Sequence, residues 1–313
     1  MTLVLGIDAG GTSLRAAVAD LAGGPLLATA TAGPANARSV PESVLAERLG
    51  HAIGGVLPEG RAADVRSVVA GIAGTGIPGQ RGDRGQALAA RALRTALARH
   101  GVRAARVRIT ADAEIAFAGA PGTPPDGLAV IAGTGAAAAR MRAHRLTATA
   151  DGCGWLTGDD GSGFWIAREG VRRALRALDG RGPGTVLVGR FAEAFRGPAP
   201  EGPSLRFVLV DGALGLAEPV RLARYCPVVV RAAAEGDAVA GRILDEAADL
   251  LAQSAAALRP LRGEPLVTVG GLLGPEGPLL ERFAARVAAW GLVPHPVADG
   301  LKGAVALARR AAL

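Results

Sequence analysis

The chain contains few cysteine and aromatic residues. Its two cysteines, Cys153 and Cys226, form no CxxC pair and no disulfide framework, which fits a reducing compartment. Aromatic residues make up 3% of the 313 positions, so Ala, Val and Leu must fill the core that 50% apolar residues provide. A chain of this length is expected to form about two domains.

Lysine is also nearly absent. Lys302 is the only one, so 34 of the 35 basic residues are arginine, and the net charge is +7. The arginines are scattered along helical segments, without a basic run of five or more and without interleaved aromatic residues. A nucleic-acid partner is therefore not expected.

Long apolar runs are missing as well. No run reaches 18 residues, so no membrane-spanning segment is predicted. Asp8 stands where a signal peptide would need its apolar core, and no basic residue precedes it. We expect a soluble, cytoplasmic protein without a membrane partner.

The most informative feature of the sequence is a glycine turn near its start. A buried strand over residues 3–7 runs into this turn and returns as a second strand over residues 14–18. The turn consists of Gly10, Gly11 and Thr12. Because glycine has no Cβ, its N–H groups can approach a phosphate closely. Asp8 would then hold Mg²⁺ through water at the edge of the phosphate site. The alternative is an ordinary Gly-Gly hairpin after a turn-favouring Asp.

The following segments alternate between strand and helix, which is typical of an α/β fold. The strands are predicted over residues 25–31, 66–72 and 107–110, and the helices over 40–56 and 86–99. After a turn-rich break at 121–127, the plan restarts with a strand at 128–132, a turn at 133–135 and a return strand at 136–141. Later come a strand at 266–269 that ends in glycines and helices at 236–258 and 300–312.

Six motifs occur in an order that resembles a known superfamily. They lie at residues 6–12, 109–112, 133–135, 152–167, 234–237 and 269–271. Together they resemble the actin, sugar-kinase and heat-shock ATPase superfamily, and more narrowly the BadF/BadG/BcrA/BcrD-type ATPases with the N-acetylglucosamine kinases among them. The short glycine motifs are weak alone, whereas the run 152–167 is specific.

The resemblance implies an α/β fold with two ribonuclease H-like domains of the actin/hexokinase ATPase type, flanking an ATP and sugar cleft. The first domain is expected to span residues 1–117 and the second 118–299. The last helix, about 300–313, is expected to pack back on the first domain. A homodimer is expected from the resemblance alone.

The resemblance also implies an ATP site with Mg²⁺. The residues expected to hold the phosphates are Gly10, Gly11 and Thr12 on one side and Gly133 and Thr134 on the other, with Asp8 orienting Mg²⁺. The residues expected to approach the adenosine are Gly270 and Gly271, with Ala223 opposite. Residues 133–135 have the alternative of a plain hairpin turn, and Ala223 that of a core alanine on a helix.

The matching sugar-binding positions are Asn36, Thr75, Asp112, Gly152, Cys153, Gly154 and Asp159. Asp112 follows an apolar strand and is the expected general base for a sugar hydroxyl, with N-capping of the next helix as its alternative. Asp159 would bind a pair of neighbouring hydroxyls. Where this family commonly has Gly-Gly-Trp-Gly, the chain has Asp-Gly-Cys-Gly at 151–154. This difference weakens the argument for N-acetylglucosamine specificity.

The resulting hypothesis is an ATP-dependent amino-sugar kinase that phosphorylates the 6-hydroxyl of N-acetylglucosamine. Glucosamine or another hexose is the alternative acceptor. A second class is a BadF-type ATPase that activates a partner enzyme through a cysteine-held iron–sulfur cluster. A sugar-responsive regulator is not expected, because its DNA-binding helices would precede the first hairpin, which here begins at residue 3.

Overall fold

The computed structural model describes residues 1–76, 84–196 and 204–313. The first half builds a five-stranded sheet of β1 (Leu3–Ala9), β2 (Leu14–Asp20), β3 (Leu26–Ala32), β4 (Val65–Ile72) and β5 (Arg106–Thr110). Its helices are α1 (Glu42–Val56), α2 (Arg84–Arg99) and α3 (Asp112–Ala118). The strand order is β3-β2-β1-β4-β5, in which β1, β4 and β5 run parallel and β2 and β3 alternate.

Strand β1 is buried on both faces because each face meets a different helical layer. Leu5 and Ile7 point to the cluster that contains Leu49 of α1, and Val4 points to the opposite cluster with Val305. Successive side chains of a strand alternate between faces, so a continuous apolar run is needed here. The near-continuous apolar sequence of this strand is explained by that position.

The second half repeats the same sheet. Its strands are β6 (Gly127–Ala132), β7 (Ala136–Arg142), β8 (Arg145–Asp151), β9 (Leu266–Val269) and β10 (Pro294–Val297). Its helices are α4 (Gly163–Leu178), α5 (Leu187–Arg196), α6 (Leu205–Leu214), α7 (Cys226–Ala234), α8 (Ala238–Ala257), α9 (Leu280–Val287) and α10 (Leu301–Ala312). The strand order β10-β9-β6-β7-β8 matches that of the first sheet when β6 is set on β1.

The helices α3 and α10 connect the two halves. Each follows the last strand of its own sheet, and α10 then packs on β1 and β4 of the first sheet. Helix α3 contacts α10 and places Phe117 in a cluster with Met141 of the second sheet. The helices approach so closely that a Cβ at Gly303 would overlap the carbonyl oxygen of Ile115.

The α/β fold with two mixed five-stranded sheets agrees with the fold class predicted from the sequence. The strands of both glycine hairpins lie within a residue or two of their predicted bounds. The sequence interpretation missed β8 and β10, together with helices α6 and α9. The domain division between residues 117 and 118 stays a prediction. Within the described ranges, no helix is long and apolar enough to cross a bilayer.

Replacing Gly303 by Ala should destabilise the fold by about 1–3 kcal/mol or more, since the added methyl group overlaps backbone of α3. The measurement is urea denaturation followed by circular dichroism. Gly241→Ala in α8 is the matched control, because nothing lies within 4 Å of a Cβ there. The control should be neutral or more stable by up to about 1 kcal/mol. Equal stability of the two variants would contradict the described helix crossing.

Candidate active site

Asp8 lies at the carboxyl end of β1, beside the start of α10. Its Oδ2 accepts a hydrogen bond from the N–H of Gly300 at 2.9 Å. Burial raises the pKa of Asp8 to about 6, and the negative charges of Asp112 and Asp299 add to the rise. The Gly300 N–H and Arg15 act in the opposite direction. A carboxylate is thus held in a place that disfavours its charge, which is typical of a functional site.

The first glycine turn is open on its outer side. The N–H of Gly10 donates to Ser13 O at 2.9 Å and closes the hairpin, while Gly10 O accepts from Ala35 N at 2.9 Å. Gly11 and Thr12 are exposed, and nothing lies within 4 Å of a Cβ placed at Gly11. A ligand therefore has free access to the backbone of this turn.

The loop that contains Asn36 and the loop that contains Gly74 meet beside this turn. The Asn36 side chain accepts from Arg38 N at 2.9 Å, and Arg38 Nε donates to Gly74 O at 3.1 Å. Gly74 has φ +84°, and a Cβ there would strike Asn36 Oδ1. Thr75 is fully buried and donates its hydroxyl proton to Ile72 O at 2.8 Å. The contacts of Thr75 are those of a residue that fixes the end of β4, and its sugar contact stays a prediction.

Asp112 is the first residue of α3 and is only partly buried. Its Oδ1 accepts from Ala113 N at 2.9 Å, and Ala111 occupies the N-cap position without a side-chain bond. Asp112 therefore does not N-cap the helix in the usual way. A carboxylate has about four acceptor sites, so it keeps capacity for a hydroxyl proton. Desolvation by burial raises the pKa of Asp112 above its usual value, which makes it a stronger base.

The second glycine turn rests on the start of α4. Gly133 N donates to Gly135 O at 2.9 Å, while Gly133 O accepts from Gly163 N at 2.8 Å. Thr134 O accepts from Phe164 N at 3.3 Å. Thr134 is exposed, and nothing lies within 4 Å of a Cβ at Gly133. The first N–H groups of α4 are thus used to hold this turn and Ser162, while the positive end of the helix dipole lies beside it.

The predicted adenosine residues lie around the same helix end. Gly270 follows β9 with φ +100°, and a Cβ there would overlap Ala132 O. Ala223 lies in a 3-10 helix over Pro219–Tyr225, and its carbonyl oxygen is 3.8 Å from the Cβ position of Gly163. Gly271 is exposed with open space around it. The structure therefore brings Ala223, Gly270 and the second glycine turn together.

The predicted sugar segment is held by Asp151. Its carboxylate accepts from Asp159 N and from Asp160 N, both at 2.7 Å. Asp159 in turn accepts from Ala136 N at 3.3 Å and lies against Gly135, and burial raises its pKa. Residues 152–154 are exposed between these anchors. Asp159 thus contacts the second glycine turn, while its bond to a sugar stays a prediction.

The sequence interpretation missed Asp299, Gly300 and the anchoring role of Asp151. Asp299 lies two residues after the end of β10, as Asp112 lies two residues after the end of β5, so Asp299 is the counterpart of the expected base in the repeated plan, and Gly300 follows it. The repeat could have located them only if β10 had been predicted. Its sequence, Pro-His-Pro-Val, lacks a strand signal because proline is confined to sheet edges, where β10 lies.

The carboxylate oxygens of Asp8 are suitable ligands for a magnesium ion. Mg²⁺ prefers oxygen ligands and is usually bound by one or two carboxylates together with phosphate oxygens and water. Among the described residues, no cluster of three or more His, Cys, Asp or Glu side chains is suited to a metal. A cation beside Asp8 would offset the repulsion from Asp112 and Asp299.

A repeated five-stranded sheet with an open glycine turn after the first strand of each half has the fold of the actin and hexokinase type. The chain belongs to the BadF/BadG/BcrA/BcrD ATPase family, whose model matches residues 5–308.

Individual relatives and solved structures are 20–30% identical to this chain in sequence. An N-acetylmuramic acid/N-acetylglucosamine kinase of Clostridium acetobutylicum is 30% identical over 183 residues, which are 57% of this chain and 58% of that protein. The match therefore spans less than two thirds of the relative. The structure of a candidate N-acetylglucosamine kinase from Chromobacterium violaceum has a TM-score of 0.72 at 24% identity, covering 98% of this chain and 99% of that one. A ROK family glucokinase from Streptomyces griseus in complex with glucose and AMPPNP has a TM-score of 0.56 at 20% identity, with 98% and 99% covered. These structures show the fold.

Asp8→Asn should stabilise the metal-free protein at pH 7.5. The pKa of Asp8 is about 6 in the folded protein against 3.8 ordinarily, so ionised Asp8 costs at most about 3 kcal/mol above pH 6. As the pH falls through 6 towards 3.8, the folded protein binds the proton and this cost disappears. The gain in the free energy of unfolding should therefore shrink at pH 4.5, measured by urea denaturation with EDTA. Exposed Asp211→Asn should change little, and a gain independent of pH would contradict the assignment.

Proposed function

We propose that the protein is an ATP-dependent amino-sugar kinase that transfers the γ-phosphoryl group of ATP to the 6-hydroxyl of N-acetylglucosamine. The observation that carries the proposal is the position of Asp112, a partly buried carboxylate of raised pKa at the same sheet edge as Asp8 and the first glycine turn. The name of the Clostridium relative supports an amino sugar as acceptor. Glucosamine or another hexose remains the alternative acceptor.

Phosphoryl transfer requires alignment of donor and acceptor and stabilisation of negative charge. The proposed phosphate contacts are the backbone N–H group of Gly11 and the hydroxyls of Thr12 and Thr134. The N–H groups of Gly10 and Gly133 donate within their own turns, so these glycines would act by letting the phosphates approach the backbone closely. Asp8 would hold Mg²⁺, which supplies charge neutralisation at the phosphates. Asp112 takes the proton of the sugar hydroxyl as the bond to phosphorus forms, and ADP leaves. Adenosine would lie against Ala223, Gly270 and Gly271.

The sugar would bind between the loop of Asn36 and the exposed segment 152–154. Asn36 offers a side-chain amide to a hydroxyl or acetamide, and Arg38 fixes the loop by its bond to Gly74 O. Cys153 gives this segment a small side chain, and Asp159 closes its far end. Thr75 is proposed to line the same pocket at the end of β4. A homodimer remains a prediction from the resemblance, and a cytoplasmic location remains a prediction from the sequence composition.

The second class, an ATPase that activates a partner through an iron–sulfur cluster, has less support. Cys226 is buried in α7, and burial raises the pKa of its thiol to about 12. Iron binds the thiolate, which such an environment disfavours. Cys153 is exposed within the segment proposed for sugar. These positions favour the kinase over the activator.

Asp112→Asn should lower kcat for N-acetylglucosamine by a factor on the order of 10²–10⁴, since the amide cannot accept the proton. Asparagine can still accept the hydrogen bond from Ala113 N, so folding and the KM for ATP should change little. The measurement is ADP release with MgATP over a panel of amino sugars, and Asp211→Asn is the control for loss of one exposed carboxylate. Turnover within threefold of the wild type would exclude Asp112 as the base.

The pH profile gives a second readout for Asp112. In the wild type, kcat/KM should fall on the acid side through a pKa above the ordinary 3.8, because only ionised Asp112 accepts the proton. The residual activity of Asp112→Asn should lack that limb. An identical acid limb in both proteins would assign it to another group.

Cys153 should be protected from alkylation by bound sugar. Its side chain is exposed, whereas Cys226 is buried, so iodoacetamide should modify one thiol in the native protein. Saturating N-acetylglucosamine should slow this reaction at least about fivefold if residues 152–154 contact the sugar, as ligand burial of most pocket surface implies. Mass spectrometry gives the rate, with Cys153→Ser and added sucrose as controls. An unchanged rate in a protein that phosphorylates the sugar would remove this segment from the site.

A further inference from the structure

A second cavity, rich in arginine, lies on the outer part of the second half. Its volume is about 380 Å³, and it opens between α4, the first turns of α8 and the loop near Gly182. The charged residues that line it are Glu169, Arg172, Arg173, Arg176, Arg181 and Arg242. Position 163, which contacts the second glycine turn, is about 14–20 Å away along the α4 axis from positions 172–176. The cavity is therefore separate from the candidate active site.

Carboxylates neutralise only part of this charge. Ion pairs join Arg172 to Glu169 at 2.7 Å, Arg173 to Glu246 at 2.8 Å and Arg181 to Asp179 at 2.7 Å. Two of these carboxylates are shared, because Glu169 is also 3.5 Å from Arg168 and Asp179 is 3.0 Å from Arg206. Three carboxylates are thus shared among five arginines in these ion pairs.

Arg176 and Arg242 have no carboxylate partner among the described residues. Arg176 donates to the carbonyl oxygen of Arg181 at 3.1 Å, which leaves most of its guanidinium donors open. Both side chains are exposed to solvent at the cavity. Guanidinium groups in this state bind phosphate oxygens with paired hydrogen bonds.

A favourable interaction with a helix dipole explains the position of only one of these two arginines. Arg176 lies in the last turn of α4, where a cation interacts favourably with the helix dipole. Arg242 is the fifth residue from the start of α8, beyond the first turn in which the helix dipole acts, so the dipole does not account for it. Asp237 caps that helix end, but its carboxylate is occupied by Ala240 N, Thr185 Oγ1 and Val186 N. The described residues therefore give the guanidinium groups of Arg176 and Arg242 no ion-pair partner at the cavity.

We propose that this cavity binds a small molecule with a diphosphate or two adjacent phosphate groups. Its volume lies within the range of ligand pockets, roughly 300–1,000 Å³. Arg176 and Arg242 contact the anion directly, and Arg172, Arg173 and Arg181 exchange part of their ion pairing for it. The exposed ion pairs cost little to rearrange, since such pairs are worth about 0–1 kcal/mol. This site is additional to the proposed kinase activity.

Inorganic pyrophosphate is the probe, titrated by calorimetry in EDTA at low and physiological salt. The double variant Arg176→Gln, Arg242→Gln should weaken binding at one site at least about tenfold. The matched control is Arg94→Gln, Arg231→Gln, which removes the same charge from exposed arginines on α2 and α7, and it should bind within about threefold of the wild type. Any binding at the glycine turns is common to all three proteins and cancels in the comparison.

Kinase turnover and thermal unfolding are measured on the same samples. Pyrophosphate binding that is lost in the Arg176→Gln, Arg242→Gln variant while turnover and unfolding stay normal would support the site. Absence of turnover in all proteins would contradict the proposed function and leave the result for this cavity unchanged. Equal pyrophosphate affinity in the two double variants would overturn the proposal, because net charge would then explain the binding. A labelled oligonucleotide that binds through Arg176 and Arg242 while pyrophosphate does not would overturn it in favour of a nucleic-acid surface.

Discussion

The contact between α3 and α10 is the constraint on which the rest of the structure depends. Each helix leaves its own sheet, and α10 packs on the sheet of the other half while α3 lies between α10 and the second sheet. The contact is close only because Gly303 presents no side chain to Ile115 O. Since Asp112 begins α3 and Gly300 precedes α10, this packing sets where the proposed base and the Asp8 contact lie.

The same packing concentrates negative charge. Asp8, Asp112 and Asp299 lie near one another at the ends of β1, β5 and β10, and burial together with mutual repulsion raises the pKa of Asp8. Such an arrangement opposes folding in the absence of a cation and is the kind of strain that persists at functional sites. Binding of a cation with ATP phosphates would convert the unfavourable charge into affinity for the substrate complex.

Local sequence signals predicted the glycine hairpins, helix α1, helix α8 and the α/β class, because both-face burial, helical spacing and glycine turns are recorded in short segments. The edge strand β10 was not predicted, since its two prolines resemble a loop. The packing of α10 on the first sheet was expected from the resemblance alone, because it depends on contacts over about 190 residues of separation and Gly303 is its only local trace. The buried hydroxyl of Thr75 and the bond from Ala136 N to Asp159 likewise depend on tertiary packing. The arginine cavity exists because α4 and α8 meet, although their arginines are 66–70 positions apart.

The central claim is that the cleft transfers phosphate to the 6-hydroxyl of an amino sugar. The most direct measurement is ³¹P nuclear magnetic resonance of a reaction with N-acetylglucosamine and MgATP. The account predicts ADP and one new phosphomonoester whose phosphorus signal is split by the two protons on C6. A spectrum with ADP and inorganic phosphate alone would contradict it, and a doublet from coupling to a single proton would move the acceptor to another hydroxyl.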